Sequence, residues 1–228
     1  MKKEILIFGT GEIAELADYY MSNDSNYKVV AFTADRKFIN NDKYMGRPLI
    51  AFEEIIEKYP PEKYGMHVAL SYSKLNLIRE QKYNQAKEKG YELVSYVCSK
   101  SVTWPDLNIG DNCLILENQT IQPTVKIGNN VMIWSGNHLG HGCEIKDHTY
   151  LSSHICISGH TVIGERCFIG VNSTFKDFIN IGDRVFVAMG ADITQDVKDD
   201  SVVLGSKTSI FDVEEELAQK IRKRYFNI

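Results

Sequence analysis

The chain has 228 residues, 43% of them apolar and 25% charged, with a formal net charge of −4. That length suits two modest domains, and an acidic balance without a basic stripe argues against a nucleic-acid partner. No apolar run nears the ~18 residues of a membrane span, the apolar stretch behind Met1-Lys2-Lys3 is too short for a signal peptide, and the odd number of cysteines, without a Cys-x-x-Cys pair, reads as reduced thiols, so the expected compartment is the cytoplasm.

Residues 4–8 carry the run Ile5-Leu6-Ile7-Phe8 and read as a buried strand. Gly9-Thr10-Gly11-Glu12-Ile13-Ala14 follows, and then a helical stretch to about residue 21. Strand, glycine turn and helix open a Rossmann-like unit. Glycines there let the main chain approach a phosphate, and the helix N-terminus favours its charge; the same glycines also suit a purely structural turn. Residues 28–32 read as a second strand, running into Thr33-Ala34-Asp35-Arg36-Lys37. An acidic residue about twenty positions past such glycines either meets a ribose hydroxyl or sits in a solvated turn. Gly9, Thr10, Gly11, Asp35, Arg36 and Lys37 are therefore candidate substrate contacts. Residues 51–59 spell a short helix stopped by Pro60-Pro61. Residues 66–71 spell a third strand whose His67 reads as a core histidine. Ser71, Ser73 and Lys74 at its carboxyl end stand where open α/β sheets bind ligands. Residues 75–89 form a helix closed by Gly90, and residues 91–97 a last strand. Residues 1–97 thus read as one Rossmann-like domain.

From Ile109 the chain repeats every six residues. Ile109, Ile115, Ile121 and Ile127 open a walk that reaches Ile193 without a skip, every stop a large apolar residue. Four places after each stop runs a second series of mostly small or β-branched residues, including Cys113, Cys143 and Cys167. A period of six fits neither a helix nor a simple strand. It fits a solenoid in which each hexad is a short strand plus a corner and three hexads close a triangular coil. Gly110, Gly128, Gly164 and Gly182 fall on the coil spacing, where a Cβ is unwelcome. Gln119 and Asn137 break the small series one coil apart and are expected to form a bonded ladder inside the prism. The count never slips, so no loop is expected to interrupt residues 109–193. Residues 98–211 read as the prism and residues 212–228 as a capping helix. Asp212 and Glu215 resemble a capping box, and Val213, Leu217, Ile221 and Tyr225 share one face. The expected role of this helix is to cover the open end of the prism, whose strand edges need protection.

Five histidines lie between positions 138 and 160. His148, His154 and His160 hold the fourth place of successive hexads, on three different faces, and no His-x-x-x-His spacing occurs, so no metal site is expected. His138 and His141 flank one corner, in His138-Leu139-Gly140-His141-Gly142-Cys143.

The hexad walk resembles the hexapeptide-repeat acyltransferases, which implies a left-handed parallel β-helix, a homotrimer and acetyl-CoA bound between neighbouring prisms. Together with the Rossmann-like start and the helix before Gly90, the whole chain looks like the bacterial nucleotide-amino-sugar N-acetyltransferases of bacillosamine and perosamine type, and like the sialic acid O-acetyltransferases. His141-Gly142-Cys143 matches the segment that carries the family's general base, which makes His141 the candidate base and His138 a candidate substrate contact. Imidazole, with a reference pKa near ~6.5, suits that work at neutral pH. The bacillosamine-type enzymes place a glutamate after the base; here Gly142 stands there, which leaves Glu117, Asn118, Glu144 or a neighbouring subunit to orient the ring. The resemblance further implies that Gly159, Met189 and Gly190 contact acetyl-CoA and that residues 1–97 hold a nucleotide-linked amino sugar, expected to be a 4-amino-4,6-dideoxy hexose. Three readings compete: acetylation of a sugar hydroxyl, a metal-dependent hydratase of γ-carbonic-anhydrase type, and a non-catalytic nucleotide-binding scaffold. Asp35 and the glycine turn favour a nucleotide-linked acceptor.

Overall fold

The computed structural model describes residues 2–206 and 210–227. Its N-terminal part is a five-stranded sheet of β1 (Lys3–Phe8), β2 (Tyr27–Ala34), β3 (Lys43–Tyr44), β4 (Arg47–Ala51) and β5 (Gly65–Val68), in the order β3-β4-β2-β1-β5. All neighbours are parallel except β3, which turns back on β4 as a short hairpin. The strand run is apolar throughout because both faces are covered. Ile5 and Ile7 point into one core with Ala14, Ala17 and Met21 of α1 (Glu12–Asn23). Leu6 and Phe8 point into the other, with Ile55 of α2 (Ile55–Lys58) and Tyr83 and Ala86 of α3 (Leu77–Glu88). The hairpin was not expected, and it occupies chain between the second and third predicted strands. The predicted last strand divides: Leu93 bridges to Met66 of β5, whereas β6 (Tyr96–Val97) already pairs with the first prism coil.

Fifteen two-residue strands follow, β7 (Asn108–Ile109) to β21 (Asp192–Ile193), one every six residues with no insertion, and β22 (Val202–Val203) closes the series. They form three parallel sheets whose members are three strands apart. The 7-stranded face (β6 to β22) carries the N-terminal domain. We call the 5-stranded faces the β9 face (β9, Thr120–Ile121, to β21) and the β7 face (β7 to β19, Asn180–Ile181). The hexad leaders pack as one axial core. The turn is made at the fourth place of each hexad: all fourteen such residues from Asn112 to Gly190 have φ between 54° and 80°. Ten of them are Asn, Gly or His, the types that tolerate a left-handed conformation or need no Cβ. Gly110 sits elsewhere, at the second place, where a Cβ would come within 2.7 Å of the Gly128 main chain one coil on. Gln119 and Asn137 satisfy main chain rather than each other's side chains. Gln119 Nε2 donates to the Leu116 and Trp134 carbonyls, Asn137 Nδ2 donates to the Trp134 carbonyl, and Asn137 Oδ1 accepts from Ile155 N–H.

The helix α4 (Glu216–Phe226) forms, but it does not bury the face assigned to it. Val213, Leu217, Ile221 and Tyr225 are all exposed, so within one chain no cap over the prism end is built from them. Half of the expected capping box is present, Asp212 N–H donating to Glu215 Oε1, and it sits in the turn before the helix, whose N-cap is Glu215.

A set of polar contacts, continued by a ladder inside the prism, fastens the N-terminal domain to it. Val68 N–H donates to Asn112 Oδ1, whose amide nitrogen donates to Asn130 Oδ1, and Asn130 in turn meets His148 Nδ1. Arg79 of α3 is fully buried and donates to the carbonyls of Asn130 and His148 and to Asn76 Oδ1. Burial pulls its pKa down to about 10, so it stays charged at neutral pH. Arg166 pairs with Glu80 at 3.2 Å at the rim.

Candidate active site

The glycine turn ends β1 with Gly9 at φ 135°, where a Cβ would stand 2.6 Å from the Ala69 carbonyl oxygen. Gly9 is thus required by the close approach of the β5 end. Gly11 is the N-cap of α1 and has no side-chain cap, and nothing lies within 4 Å of where its Cβ would be. It opens on a cleft of about 510 Å³ lined also by Glu12, Ser71, Tyr72, Ser73, Trp134 and Tyr150. The N-domain supplies one wall and the 7-stranded prism face the other. Tyr150 and Phe168 stack at 5.3 Å on that face, Tyr72 meets both edge-on, and Trp134 donates to the Tyr150 hydroxyl. Neither Trp134 nor Tyr150 was singled out in the sequence. Both are outward residues of a face that shows its partner only when folded.

Asp35, Arg36 and Lys37 line a second cleft, of about 780 Å³, with Phe52, Glu53 and Lys82. The Asp35 carboxylate receives Lys82 Nζ at 2.5 Å, and Arg36 N–H donates to Glu53 Oε2 at 3.1 Å. Of the substrate contacts expected from sequence, Gly11, Ser71 and Ser73 line the glycine-turn cleft and Asp35, Arg36 and Lys37 the one beyond β2, while Gly9 and His138 line neither. Thr10 is half-buried in the turn, and Lys74 is exposed with φ 51°, lining neither cleft.

His141 stands on the edge between the β9 and β7 faces, exposed, just before the left-handed Gly142. Its main-chain N–H donates to Gln122 Oε1 at 2.8 Å, and its ring Nδ1 lies 3.2 Å from the same oxygen. On the other side the ring lies against Gly159, where a Cβ would be 2.9 Å from Cε1 and 3.1 Å from Nε2. His160 meets the ring edge-on at 4.9 Å and is itself stacked on Phe178. Among the described residues no group bonds Nε2 of His141. Glu117 is on another edge, bonded to Tyr20 and Ser135. His138 is half-buried on the β9 face, in register with Thr120 and Cys156. His148, His154 and His160 take the left-handed place on three different edges. Met189 and Gly190 occupy the edge between the 7-stranded and β9 faces, not that of Gly159.

Two groupings result. The edge with His141 and Gly159 is opposite the 7-stranded face that carries the glycine-turn cleft. The separation is roughly 17 Å, the height of a triangle with sides of six residues at ~3.3 Å each. In one chain they do not meet.

The family model for bacterial transferase hexapeptide repeats matches residues 124–154, and that for the hexapeptide repeat of succinyl-transferase matches residues 160–195. Over the prism the chain is 28% identical to an acyl-[acyl-carrier-protein]–UDP-N-acetylglucosamine O-acyltransferase of Sinorhizobium fredii, covering 40% of this chain. It is 34% identical to a UDP-3-O-acylglucosamine N-acyltransferase of Bordetella avium, again over 40% of this chain. The chain spans 36% and 25% of the lengths of these two relatives. Two solved structures share the fold over 92% of this chain. One is the acetyltransferase domain of PglB from Neisseria gonorrhoeae in complex with acetyl coenzyme A, with a TM-score of 0.80, 22% identity and all of that chain covered. The other is PerB from Caulobacter crescentus in complex with CoA and GDP-perosamine, with a TM-score of 0.79, 20% identity and 97% of that chain covered.

Proposed function

From the hexapeptide-repeat matches over residues 124–154 and 160–195 behind a Rossmann-like domain, we propose that the chain is an acetyl-CoA-dependent N-acetyltransferase for a nucleotide-linked amino sugar, with His141 as general base. The observation that carries this is the His141 corner, an exposed ring seated between Gln122 and Gly159 with no partner on Nε2 among the described residues. When an amine adds to a thioester carbon it must lose a proton as the tetrahedral intermediate forms. Nε2 takes that proton and returns it to the sulfur that leaves, so the products are an amide and a free thiol. The His141 and Gly142 main-chain N–H groups are already bonded to Gln122 and Thr124, and that of Gly159, which meets no acceptor among the described residues, is of the kind that stabilises the oxyanion. The glycine-turn cleft receives the nucleotide-linked acceptor, its diphosphate at the open N-terminus of α1. The placement of the two groupings on opposite sides of the prism supports a site assembled between copies, in which one chain's His141 edge faces its neighbour's cleft and its Met189-Gly190 edge. A trimer provides such pairs. The nearness of the fold to PerB supports a 4-amino-4,6-dideoxy hexose as the acceptor, and the absence of a membrane-spanning helix among the described residues is compatible with a nucleotide-sugar substrate in the cytoplasm.

The test is to offer UDP-, dTDP-, GDP- and CDP-linked 4-amino sugars, and hydroxyl acceptors such as sialic acid, with acetyl-CoA and to read product mass. His141→Asn is expected to lower kcat by roughly 10²–10⁴, and His138→Asn by much less. Acetylation of hydroxyl acceptors alone, or turnover that survives His141→Asn, would overturn the proposal.

A further inference from the structure

Gln122 follows Ile121, the inward residue of β9, and its side chain reaches up one coil to the His141 corner. The main-chain N–H of His141 can only donate, so the amide atom 2.8 Å from it is the oxygen. The orientation of the Gln122 amide is therefore dictated by the backbone rather than chosen to suit the ring. The same oxygen lies 3.2 Å from Nδ1 of His141 and has no proton to give. For that contact to be a hydrogen bond, Nδ1 must carry the proton. A neutral imidazole has one N–H, so Nε2 holds the lone pair. The neighbouring corner N–H, that of Gly142, is taken up by Thr124 Oγ1 at 3.0 Å, so it does not compete for the Gln122 oxygen.

We infer that Gln122 is the positioning residue that sets the tautomer of His141, holding the proton on Nδ1 and presenting Nε2 as the basic nitrogen. This rests on His141 being the base. It goes beyond that assignment because it says which nitrogen works and what makes it so. The places one coil apart in the same column are Gly140, Ser158 and Lys176, so the amide is peculiar to the coil beneath the histidine. Free histidine favours the proton on Nε2. Without Gln122 the ring would revert to that form, with its lone pair turned toward the prism and away from an incoming amine. A histidine base held in the wrong tautomer loses up to ~10⁴ in kcat. Here the corner is solvent-exposed and water can partly replace the amide, so a smaller loss is expected.

The experiment uses the full chain with ¹⁵N-labelled histidine. Long-range ¹⁵N–¹H spectra above the ring's titration range, assigned through His141→Asn, read the tautomer without any turnover. The expected result is a protonated Nδ1 in the wild type and a shift to protonated Nε2 in Gln122→Leu, with kcat down roughly 10- to 100-fold and the KM for acetyl-CoA unchanged. Gln122→Glu still accepts from both donors and should restore the wild-type tautomer. Its added charge should move the acid limb of the kcat/KM profile upward by about one pH unit. His160, which meets the ring edge-on, is the same in both variants, and a merely structural role for Gln122 would move neither the tautomer nor the pH limb. A wild-type ring protonated on Nε2, or a Gln122→Leu protein with unaltered tautomer and kcat, would overturn the inference. If the tautomer behaves as stated while His141→Asn retains turnover, the placement by Gln122 stands and the assignment of His141 as base is what fails.

Discussion

Gly159→Ala adds one methyl beside the candidate base. Gly159 has no positive φ, so alanine is conformationally allowed there, and the consequence comes from contacts alone. The new Cβ would stand 2.9 Å from Cε1, 3.1 Å from Nε2 and 3.2 Å from the main-chain oxygen of His141. Comfortable carbon contacts begin near ~3.5 Å, so the ring must retreat by roughly 0.5 Å. The ring is exposed and can do so cheaply, and the stability change should be under ~1 kcal/mol. Its Nε2 no longer stands where the amine proton leaves. A displacement of ~1 Å at a reacting group costs about 10²-fold, so half of that should cost about 10-fold in kcat. The main-chain N–H of residue 159 remains, so the KM for acetyl-CoA should hold. Steady-state kinetics with acetyl-CoA varied, beside a thermal melt, reads all three quantities. An unchanged kcat with a raised KM for acetyl-CoA would refute the steric argument and leave Gly159 as a cosubstrate contact only.

Gly11→Val fills the mouth of the glycine-turn cleft, where nothing lies within 4 Å of its Cβ; the acceptor KM should rise at least 10-fold by loss of phosphate access, the acetyl-CoA KM and the melting temperature should hold, and a loss of both substrates together would count against a binding role. Arg79→Met leaves the acceptors on Asn130, His148 and Asn76 without their buried donor and should cost about 3–5 kcal/mol, a fall of about 10 °C by calorimetry; a fall under about 2 °C would show that the clamp contributes little. Burial is the main cause that lowers the pKa of His67 to about 4, against about 6.5 for the unfolded chain. The unfolded state therefore binds the proton first, so the stability is fully present above pH ~6.5 and is lost as pH falls toward 4, by about 3 kcal/mol. Urea unfolding at pH 7 and pH 4.5 should show that loss in the wild type and less of it in His67→Gln, and parallel behaviour of the two would remove His67 as the cause.

The prism was legible because its constraint is local and repeated. Each hexad needs one inward leader and one corner, and residues eighteen apart stack on the same column, so periodicity alone identified the strands, the coils and the uninterrupted span. The left-handed fourth place was written in the same period, through Asn112, Asn118, Asn130, Gly136, Gly142 and Asn172. The second-place glycines give the plainer signal because they recur at one coil spacing, whereas the left-handed place is shared among Asn, Gly, His and four other residues. His141 was legible as one of two histidines flanking a corner, and only the resemblance of His141-Gly142-Cys143 to the family's base segment chose it over His138. Gln122 was not, although nineteen residues is one coil plus one place, because only the folded corner brings its oxygen to the main-chain nitrogen and Nδ1 of one residue.

What the sequence by itself determined is whatever depends on the order of residues along a coil or strand: the two-part architecture, the glycine turn, the amphipathic α4 and the corner that holds His141. What only the tertiary structure decided depends on where separate segments meet. Asp35 looked like a partner of the glycine turn and instead faces Lys82 in another cleft. Trp134 and Tyr150 became cleft walls because the N-domain lies on their face. Arg79, an unremarkable residue of a polar helix, became the buried clamp between the domains. The physical reason is that burial and hydrogen-bond pairing are settled by which surfaces dock, and a surface carries no periodic mark of its partner. The exposed apolar face of α4 is the same case: its amphipathic pattern is plain in the chain, yet within one chain nothing covers Leu217, Ile221 or Tyr225.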